Sequence, residues 1–211
     1  SGVLVSGIIG GMYSSTATIS VLARKCKKAQ AEDVPEYAAA MLMAVSMMFL
    51  RILILIFIFS KEIFSMVLPY LLIMSIVAAG IGTFIHFRKF KKKDPANVPE
   101  EEDSSNPLEF KVALIFAMLF VIFTLLTHYT LIYAGTSGLT VLSFIAGLSD
   151  ITPFILNIVQ DTDKVPAMNA AASCMQAIIS SITVNMCYAL FFSGRRKELR
   201  PWLLGGFGLI V

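Results

Sequence analysis

The sequence predicts an all-α polytopic membrane protein, and three observations support this prediction. Apolar side chains make up 57% of the 211 residues, charged side chains only 15%, and the mean hydropathy is +0.79. Soluble domains typically carry about 25% charged residues, so the composition argues strongly against a water-soluble globule. The apolar residues form long runs, and the formal charge of +3 comes mainly from residues between those runs, which argues against nucleic acid as a partner.

Five apolar runs reach the roughly 20 residues that a helix needs to cross about 30 Å of hydrocarbon. A sixth run, Ala167–Ser193, is as long but contains eight Asn, Gln, Ser and Thr residues, which suits a helix that faces protein or water. The C-terminal PWLLGGFGLIV is too short to span alone, so it predicts a partial seventh helix or a re-entrant end. The five runs are Val3–Ala23, Ala38–Phe59, Ile63–Ile85, Val112–Ala134 and Leu139–Val159.

The basic residues predict which side of the membrane each loop faces. Six spans would place eleven basic residues on one side and five on the other. The positive-inside rule therefore assigns loops 24–36 and 88–111 to the cytoplasm, although the RRKELR cluster at 195–200 opposes this assignment.

The longest loop, residues 88–106, divides the chain into two predicted membrane halves, residues 1–87 and 107–211. It consists of a basic half, a proline break and an acidic half. Such a charge run is usually solvated, and the alternatives are a regulatory segment or one that binds lipid head groups.

The two halves contain an internal repeat. Residues 1–22 align without a gap with residues 137–158, and seven of the 22 positions are identical. The helices that follow align at a slip of 134 residues, which pairs Arg51 with Asn185. A whole helix precedes the aligned segment in the second half, so we expect one more helix upstream of the first. Each repeat then has about four helices, and an even number predicts two repeats with the same orientation.

Both aligned segments are predicted to be helices interrupted at Gly-rich breaks. Gly147 precedes a Thr-Pro pair, which is a natural start for a second half-helix, and Gly10-Gly11 precede a run of hydroxyl residues. Helix breaks at bilayer depth are tolerated where they are buried or line a wet cavity, so these are candidate ion sites, with tight packing as the alternative. The candidate oxygen ligands are Ser14, Ser15, Thr16, Ser149, Thr152 and Asn185.

Asp150 is the acidic residue near the middle of a predicted span. A carboxylate at that depth is unfavourable unless it is paired, protonated or bound to a cation. Asp150 is therefore the predicted charge of a cation site, and the alternative is a cap for the second half-helix. No metal ligand set is predicted beyond a transported cation at this residue.

Two further residues in the spans can carry charge. Arg51 lies about 14 residues into its predicted helix, where it can pair with Asp150, line an anion path or extend toward an interface. His128 can relay protons near neutral pH or simply be hydrogen-bonded. The three cysteines lack the spacing of a zinc site, and no nucleotide-binding or hydrolase motif occurs, so neither a cofactor nor an enzyme is predicted.

The segments GGMYSSTATISVLARK, NPLEF and GLSDITP, together with Arg51, carry a resemblance to a bacterial membrane family of uncharacterised function. The domain of that family often lies C-terminal to an MgtC/SapB-like domain. The resemblance implies a multi-pass protein of the inner membrane, an upstream helix, and a role near magnesium or other cation homeostasis. The family pattern has a second acid two residues after the first, and here that position is Thr152.

These observations predict a membrane transport protein, a channel or a secondary transporter, that moves a small inorganic cation through a site at the helix breaks between the repeats. Mg²⁺ and Na⁺ suit a site built from oxygen atoms. An anion path using Arg51 and the half-helix N-termini is a variant. A non-transporting module that binds a lipid or a regulated partner is the other class of function. The predicted partners are the lipid bilayer and the cation, and so small a bundle is compatible with a homodimer.

Overall fold

The computed structural model describes residues 2–89, 107–148, 150–160, 165–194 and 199–210, and within these ranges the regular structure is entirely helical. This confirms the predicted all-α class. The described residues form eight α-helices and one short 3-10 helix, Ala31–Asp33, and contain no strand. The α-helices are α1 (Gly2–Tyr13), α2 (Ser15–Lys28), α3 (Val34–Phe59), α4 (Lys61–Lys89), α5 (Pro107–Gly147), α6 (Ile151–Gln160), α7 (Ala167–Phe192) and α8 (Arg200–Ile210).

Four helical segments among the described residues are long and apolar enough to cross a membrane. The shortest has 18 residues, which at about 1.5 Å per residue span about 27 Å, close to the hydrocarbon thickness of a bilayer. Their exposed positions carry large apolar side chains such as Ile73, Ile76 and Val121. They are compatible with a membrane protein and correspond to four of the six predicted spans. The segments are Ala31–Phe59, Lys61–Phe87, Met118–Gly135 and Ala167–Phe192.

The other two predicted spans each contain two shorter helices. Val3–Ala23 is covered by α1 and α2, which Ser14 separates with extended backbone at φ −155° and ψ 109°. Leu139–Val159 is covered by the second part of α5, Ser137–Gly147, and by α6. We call the boundary between α1 and α2 the first junction and that between α5 and α6 the second junction. The C-terminal apolar stretch forms the 11-residue helix α8.

The α5 helix changes direction at Gly135, where φ of 58° and ψ of −152° lie outside the helical region and favour glycine. Residues eight apart in a straight helix lie about 12 Å apart. A Cβ added to Gly138 would nevertheless lie 2.5 Å from Cγ2 of Thr130. The chain therefore folds back at Gly135, which ends the first part of α5, residues 107–135, and with it the apolar segment Met118–Gly135.

The chain forms two compact units, and each is described by itself. Both units draw on both halves of the sequence, because α3, α4 and α7 each contribute residues to both. The first unit contains Ser1–Ile54, Val67–Asn97 and Ile182–Val211, and the second contains Leu55–Met66 and Val98–Ser181.

In the first unit, α1 lies alongside α3 and runs in the same direction. A Cβ added to Gly7 would clash with the backbone of Ala40, and one added to Gly11 would lie 2.6 Å from Cα of Ala44. Both helices advance by four residues between these two contacts, so they are parallel. Glycine is required here because the two backbones approach so closely.

The next helix, α2, runs along α3 in the opposite direction. Its first residue, Ser15, donates a hydrogen bond to Sδ of Met48 at 3.2 Å. Its last residue, Lys28, is separated by five residues from Val34, where α3 begins. The start of α2 therefore lies deep along α3, and its end lies near the start of α3.

The opposite directions of α1 and α2 make them a helical hairpin with its tip at Ser14. A direct contact between the two helices supports this arrangement, because a Cβ added to Gly10 would lie 2.5 Å from Oγ1 of Thr18. These residues are eight apart and would be about 12 Å apart in a straight helix. The Val3–Ala23 run is thus a hairpin, in contrast to a single straight crossing.

The α4 helix is antiparallel to α3 in the first unit. The hydroxyl of Ser46 donates to the carbonyl of Ser75 at 3.0 Å. Further along, a Cβ added to Gly82 would lie 3.2 Å from the carbonyl oxygen of Ala39. The contacts move toward the start of α3 as α4 proceeds, so α4 ends where α3 begins.

The α7 helix ends beside the end of α2. The guanidinium carbon of Arg24 lies 4.7 Å from the ring centroid of Phe192, and a Cβ added to Gly194 would lie 3.2 Å from Cε of Lys27. The C-terminal ends of α2, α4 and α7 therefore share one end of the first unit. We call it the basic end, because the basic residues within 24–28 lie there.

The position of Gly194 differs from the six-span topology. That topology puts residues 24–28 and the RRKELR cluster, which begins directly after Gly194, on opposite sides of the membrane. In the structure Gly194 lies at the basic end with Lys27. Among the described residues, four helical segments long enough to cross a membrane lie between residue 28 and Gly194, because the Leu139–Val159 run consists of two short helices.

In the second unit, the second part of α5 lies alongside α7 and runs in the same direction. Ser143 donates a hydrogen bond to Oε1 of Gln176 at 3.0 Å, and Ser180 donates to the carbonyl of Phe144 at 2.9 Å. A Cβ added to Gly147 would clash with the side chain of Ser180. The second part of α5, which precedes the second junction, therefore also packs closely against its neighbour, α7, at a glycine.

Candidate functional site

Ser14 is the N-cap of α2 and forms the centre of the first junction. Its Oγ accepts a hydrogen bond from the N–H of Ala17 at 3.4 Å, and its carbonyl accepts one from the N–H of Thr18 at 3.0 Å. Its own N–H donates to the carbonyl of Gly10 at 2.9 Å. The cap satisfies one of the amides that lack a partner at a helix start. The chain therefore turns at Ser14 while keeping much of its hydrogen bonding.

Two more predicted ligands lie next to the cap. Ser15 is buried, and its hydroxyl donates to Sδ of Met48, a weak acceptor. Thr16 is half-buried, and its carbonyl accepts a hydrogen bond from Oγ of Ser20 at 2.8 Å. Because the Ser15 hydroxyl donates its proton to Met48, its oxygen lone pairs remain suited to a cation.

Arg51 brings a positive charge to the first junction. Its half-buried guanidinium, which projects from α3, donates to the carbonyl of Tyr13, the last residue of α1. The final carbonyls of a helix lack partners within the helix and carry partial negative charge. Arg51 therefore fastens the tip of the hairpin to α3. Its predicted pairing with Asp150 stays a prediction.

Asn185 is fully buried on α7, and neither its Oδ1 nor its Nδ2 has a hydrogen-bond partner among the residues that the structure describes. Asn185 lies seven residues before Phe192, or about 10 Å along the helix. The same distance back from Arg24, which contacts Phe192, reaches Ala17 in the first turn of α2. Because α2 and α7 run in the same direction here, Asn185 lies level with the first junction.

Asp150 caps α6 at the second junction. Its Oδ1 accepts a hydrogen bond from the N–H of Thr152 at 2.9 Å, and α6 begins at Ile151, one residue before the predicted start. Asp150 is half-buried and Thr152 is buried. The capping hydrogen bond thus uses one oxygen of the Asp150 carboxylate. The second oxygen has the chemistry to bind a cation. Ser149 lies outside the described residues.

His128, the predicted proton relay, lies on an exposed face of α5. Its ring makes an edge contact with the ring of Tyr129, with centroids 5.7 Å apart. Both side chains are exposed at the surface of the second unit, whereas the neighbouring Thr127 is fully buried. His128 therefore points away from the buried polar side chains of its own unit.

Sequence reasoning missed the polar contact between α5 and α6. Nδ2 of Asn157 donates to Oγ1 of Thr124 at 2.6 Å, and Thr127 is buried nearby on the same helix as Thr124. The three-residue spacing of the two threonines in TLLTHYT is the signal that could have found them. That signal is weak, because isolated threonines also satisfy themselves on the preceding turn of a helix.

The predicted site residues are divided between the two units. The first unit offers hydroxyl and amide oxygens with one guanidinium, and the second offers one carboxylate. Within the described ranges, no group of three or more His, Cys, Asp or Glu side chains could hold a metal ion. Ser14, Ser15, Thr16, Arg51 and Asn185 belong to the first unit, and Asp150, Thr152 and His128 belong to the second.

Comparison with protein families identifies the kind of domain present. The family model described as a domain of unknown function, DUF4010, matches residues 1–193. The chain belongs to the DUF4010 family. An uncharacterized protein of Aquifex aeolicus (strain VF5) is 24% identical over 216 residues, which cover 98% of this chain and 89% of that relative. No solved structure matches the chain.

The DUF4010 match includes both junctions, Arg51 and Asn185, and ends before α8 begins at Arg200. It confirms the resemblance to an uncharacterised family. The association with MgtC/SapB-like domains stays a prediction.

Proposed function

We propose that this DUF4010 protein is a membrane transport protein, a channel or a secondary transporter, for a small inorganic ion. The proposal depends on Asn185, a fully buried amide at the level of the first junction that has no hydrogen-bond partner in the described part of the chain. An unpaired buried polar group costs roughly 1–3 kcal/mol in proteins. An ion with its hydration water would recover this cost, because the amide offers both an oxygen and N–H groups.

The hairpin tip supports a site at this depth. Ser15 contacts Met48, which lies 14 residues into α3 and within a segment long enough to cross the membrane. Irregular backbone at bilayer depth is tolerated where it is buried in protein or lines a cavity. Transporters use such helix ends to bind ions. In this proposal the polar residues at the tip of the hairpin line an ion path.

We propose a cation as the transported ion. Asp150 supplies the negative charge at the second junction, and the remaining donors are the oxygen atoms that Mg²⁺ and Na⁺ prefer. The predicted association with MgtC/SapB-like domains favours magnesium among these ions. The proposed ligands at the second junction are Asp150, Ser149 and Thr152, and those at the level of the first junction are Ser14, Ser15, Thr16 and Asn185.

We include the two predicted repeats, with two equivalent junctions, in the proposal, and matching contacts in the two halves support them. One shift of 136 residues converts contacts between α1 and α3 into contacts between α5 and α7, and it also matches the two N-caps, Ser14 and Asp150. The 134-residue slip is unnecessary, so Arg51 and Asn185 are not equivalent positions in this alignment. The matched contacts are Gly7–Ala40 with Ser143–Gln176, and Gly11–Ala44 with Gly147–Ser180.

We place the protein in the bacterial inner membrane with the basic end toward the cytoplasm. In this orientation loops 24–36 and 88–111 lie in the cytoplasm, since α2 and α4 end at the basic end. The segment after Gly194 joins them in this proposal and no longer opposes the positive-inside rule.

Two other functions each have one supporting observation. An anion path is favoured by Arg51, whose guanidinium lies at the first junction beside the N-terminus of α2. A non-transporting membrane module, regulatory or lipid-binding, is favoured by the internal hydrogen bonds of Ser14, Ser15 and Asp150.

Ion flux into proteoliposomes separates these functions. We expect Asp150→Asn to abolish cation flux while Arg51→Gln leaves at least a large part of it. The reverse pattern, with anion flux that depends on Arg51, would replace the cation by an anion. Matched controls are Glu62→Gln and Lys61→Gln, which change exposed charges in the first turn of α4. Absence of any ion flux in the wild-type protein would overturn the transport proposal and leave the non-transporting module.

A further inference from the structure

The contact between α5 and α6 in the second unit contains two buried oxygen atoms that have no hydrogen-bond partner among the described residues. They are Oδ1 of Asn157, a residue only 5% exposed, and Oγ1 of Thr127, which is fully buried. Buried polar atoms in proteins are nearly always paired with protein groups, water or ions. Two of them on one helix pair therefore point to a bound species.

The orientation of the Asn157 amide is set by its other contact. Nδ2 of Asn157 donates to Oγ1 of Thr124 at 2.6 Å, and the hydroxyl of Thr124 donates to the carbonyl of Phe120 at 2.8 Å. Because the Thr124 proton is used in this second bond, its oxygen can only accept from Asn157. The amide N–H must face Thr124, and the amide oxygen must face the other way.

Thr127 and Asn157, which carry these two oxygens, lie on the faces of α5 and α6 that pack against each other. Phe123 and Thr127 are the two buried side chains described within Met118–Gly135, and they lie four residues apart on one face. The ring of Phe123 meets that of Phe154 at 5.8 Å, and Asn157 follows Phe154 by one turn of α6. Thr127 therefore lies on the face of α5 that packs against α6.

The two helical segments that carry these oxygens lack Asp, Glu, Lys and Arg. Residues 151–160 contain no charged side chain, and residues 118–135 contain none besides the exposed His128. Asp150 precedes Asn157 by seven residues, or about 10 Å along the helix. A divalent cation prefers carboxylate ligands and would bring a net charge of two into this contact. A small monovalent cation suits neutral oxygens better.

We propose that Asn157 Oδ1 and Thr127 Oγ1 are ligands of a sodium ion bound between α5 and α6, with Thr124 as the positioning residue that orients the Asn157 amide. This inference rests on the proposed transport function, in which the bound ion is the coupling ion beside the path at Asp150. Bound sodium joins the first part of α5 to α6, and α6 is the helix that Asp150 caps. Binding of sodium at this site therefore holds the helix that begins at the second junction.

Thermal unfolding of the full chain in detergent tests the sodium site without any flux measurement. The midpoint is compared in sodium chloride and in choline chloride at equal ionic strength. We expect sodium at about 100-fold above its Kd to raise the midpoint by roughly 5–10 °C, with saturation. Equal midpoints in the two salts at all concentrations would overturn the proposal, and water would then occupy the contact.

Variants of Thr127 and Asn157 test whether their oxygens bind sodium or whether the two side chains only pack against their neighbours. Thr127→Val and Asn157→Leu should remove the sodium-dependent shift, whereas Thr127→Ser should keep it because the hydroxyl remains. The matched control is Thr83→Val, since the Thr83 hydroxyl donates to the carbonyl of Ala79 at 2.7 Å in the other unit. A sodium shift that survives in both Thr127→Val and Asn157→Leu would refute the assignment.

The sodium site and the transport function can fail independently. If Asp150→Asn abolishes flux but keeps the sodium-dependent shift, both proposals are supported. If the wild-type protein shows the shift without any flux, the site stands and the transport proposal fails. If flux is present and the shift is absent, the sodium site alone fails.

Discussion

Replacing Asn185 with leucine should raise the free energy of unfolding by about 1–3 kcal/mol, because both polar atoms of the side chain are buried without partners. Leucine has a similar size and needs no hydrogen bond. The measurement is reversible unfolding in mixed detergent micelles with choline as the cation, followed by circular dichroism. Asn169→Leu is the matched control, because Asn169 is half-buried in the first turn of the same helix and should change stability by less than about 0.5 kcal/mol.

The same variant connects stability to function. If Asn185 serves the ion path, Asn185→Leu should lose most of the ion flux while the protein becomes more stable. A loss of about 1 kcal/mol or more would show that the amide makes hydrogen bonds, and would remove the observation on which the proposed function depends. Unchanged flux with raised stability would remove Asn185 from the site.

Three further predictions follow from the junctions and the hairpin. Asp150→Ala should cost about 1 kcal/mol of stability in the same unfolding assay, whereas Asp150→Asn, which can still cap α6, should cost less than about 0.5 kcal/mol; equal losses would refute the capping role. Gly11→Leu should destabilise the protein by about 1–3 kcal/mol or more, because its side chain would meet the backbone of α3, and a neutral result would contradict the hairpin packing. In a variant without native cysteines, a membrane-impermeant maleimide should label Lys28→Cys and Arg195→Cys from one side and Lys61→Cys from the other, whereas labelling of residues 28 and 195 from opposite sides would support six straight crossings.

Run length predicted most helices but not their directions. The Val3–Ala23 run has the length and apolarity of one crossing, and hydropathy contains no information about whether a helix continues or turns back. The turn at Ser14 depends on close contacts of Gly7 and Gly11 with α3. These contacts join residues 33 positions apart, so no local pattern contains them.

The candidate site could also be predicted only in part from local sequence patterns. Asp150 was identified from its position in an apolar run, and the Thr-Pro pair placed the start of α6 to within one residue. Asn185 was one of several polar residues in a long helix, and nothing local distinguished it from an ordinary interhelical amide. Its lack of partners depends on what the neighbouring helices present, as does the unpaired oxygen of Thr127.

The sequence alone determined the all-helical class, four of the long apolar helices, and the polar residues available for a site. These properties follow from composition, from periodic hydrogen bonding along one helix, and from capping chemistry within a few residues. Only the tertiary structure decided that α1 and α2 form a hairpin, that α2, α4 and α7 end together, and that Asn185 is buried without a partner. The physical reason is that helix direction and polar satisfaction depend on close packing between residues far apart in the chain.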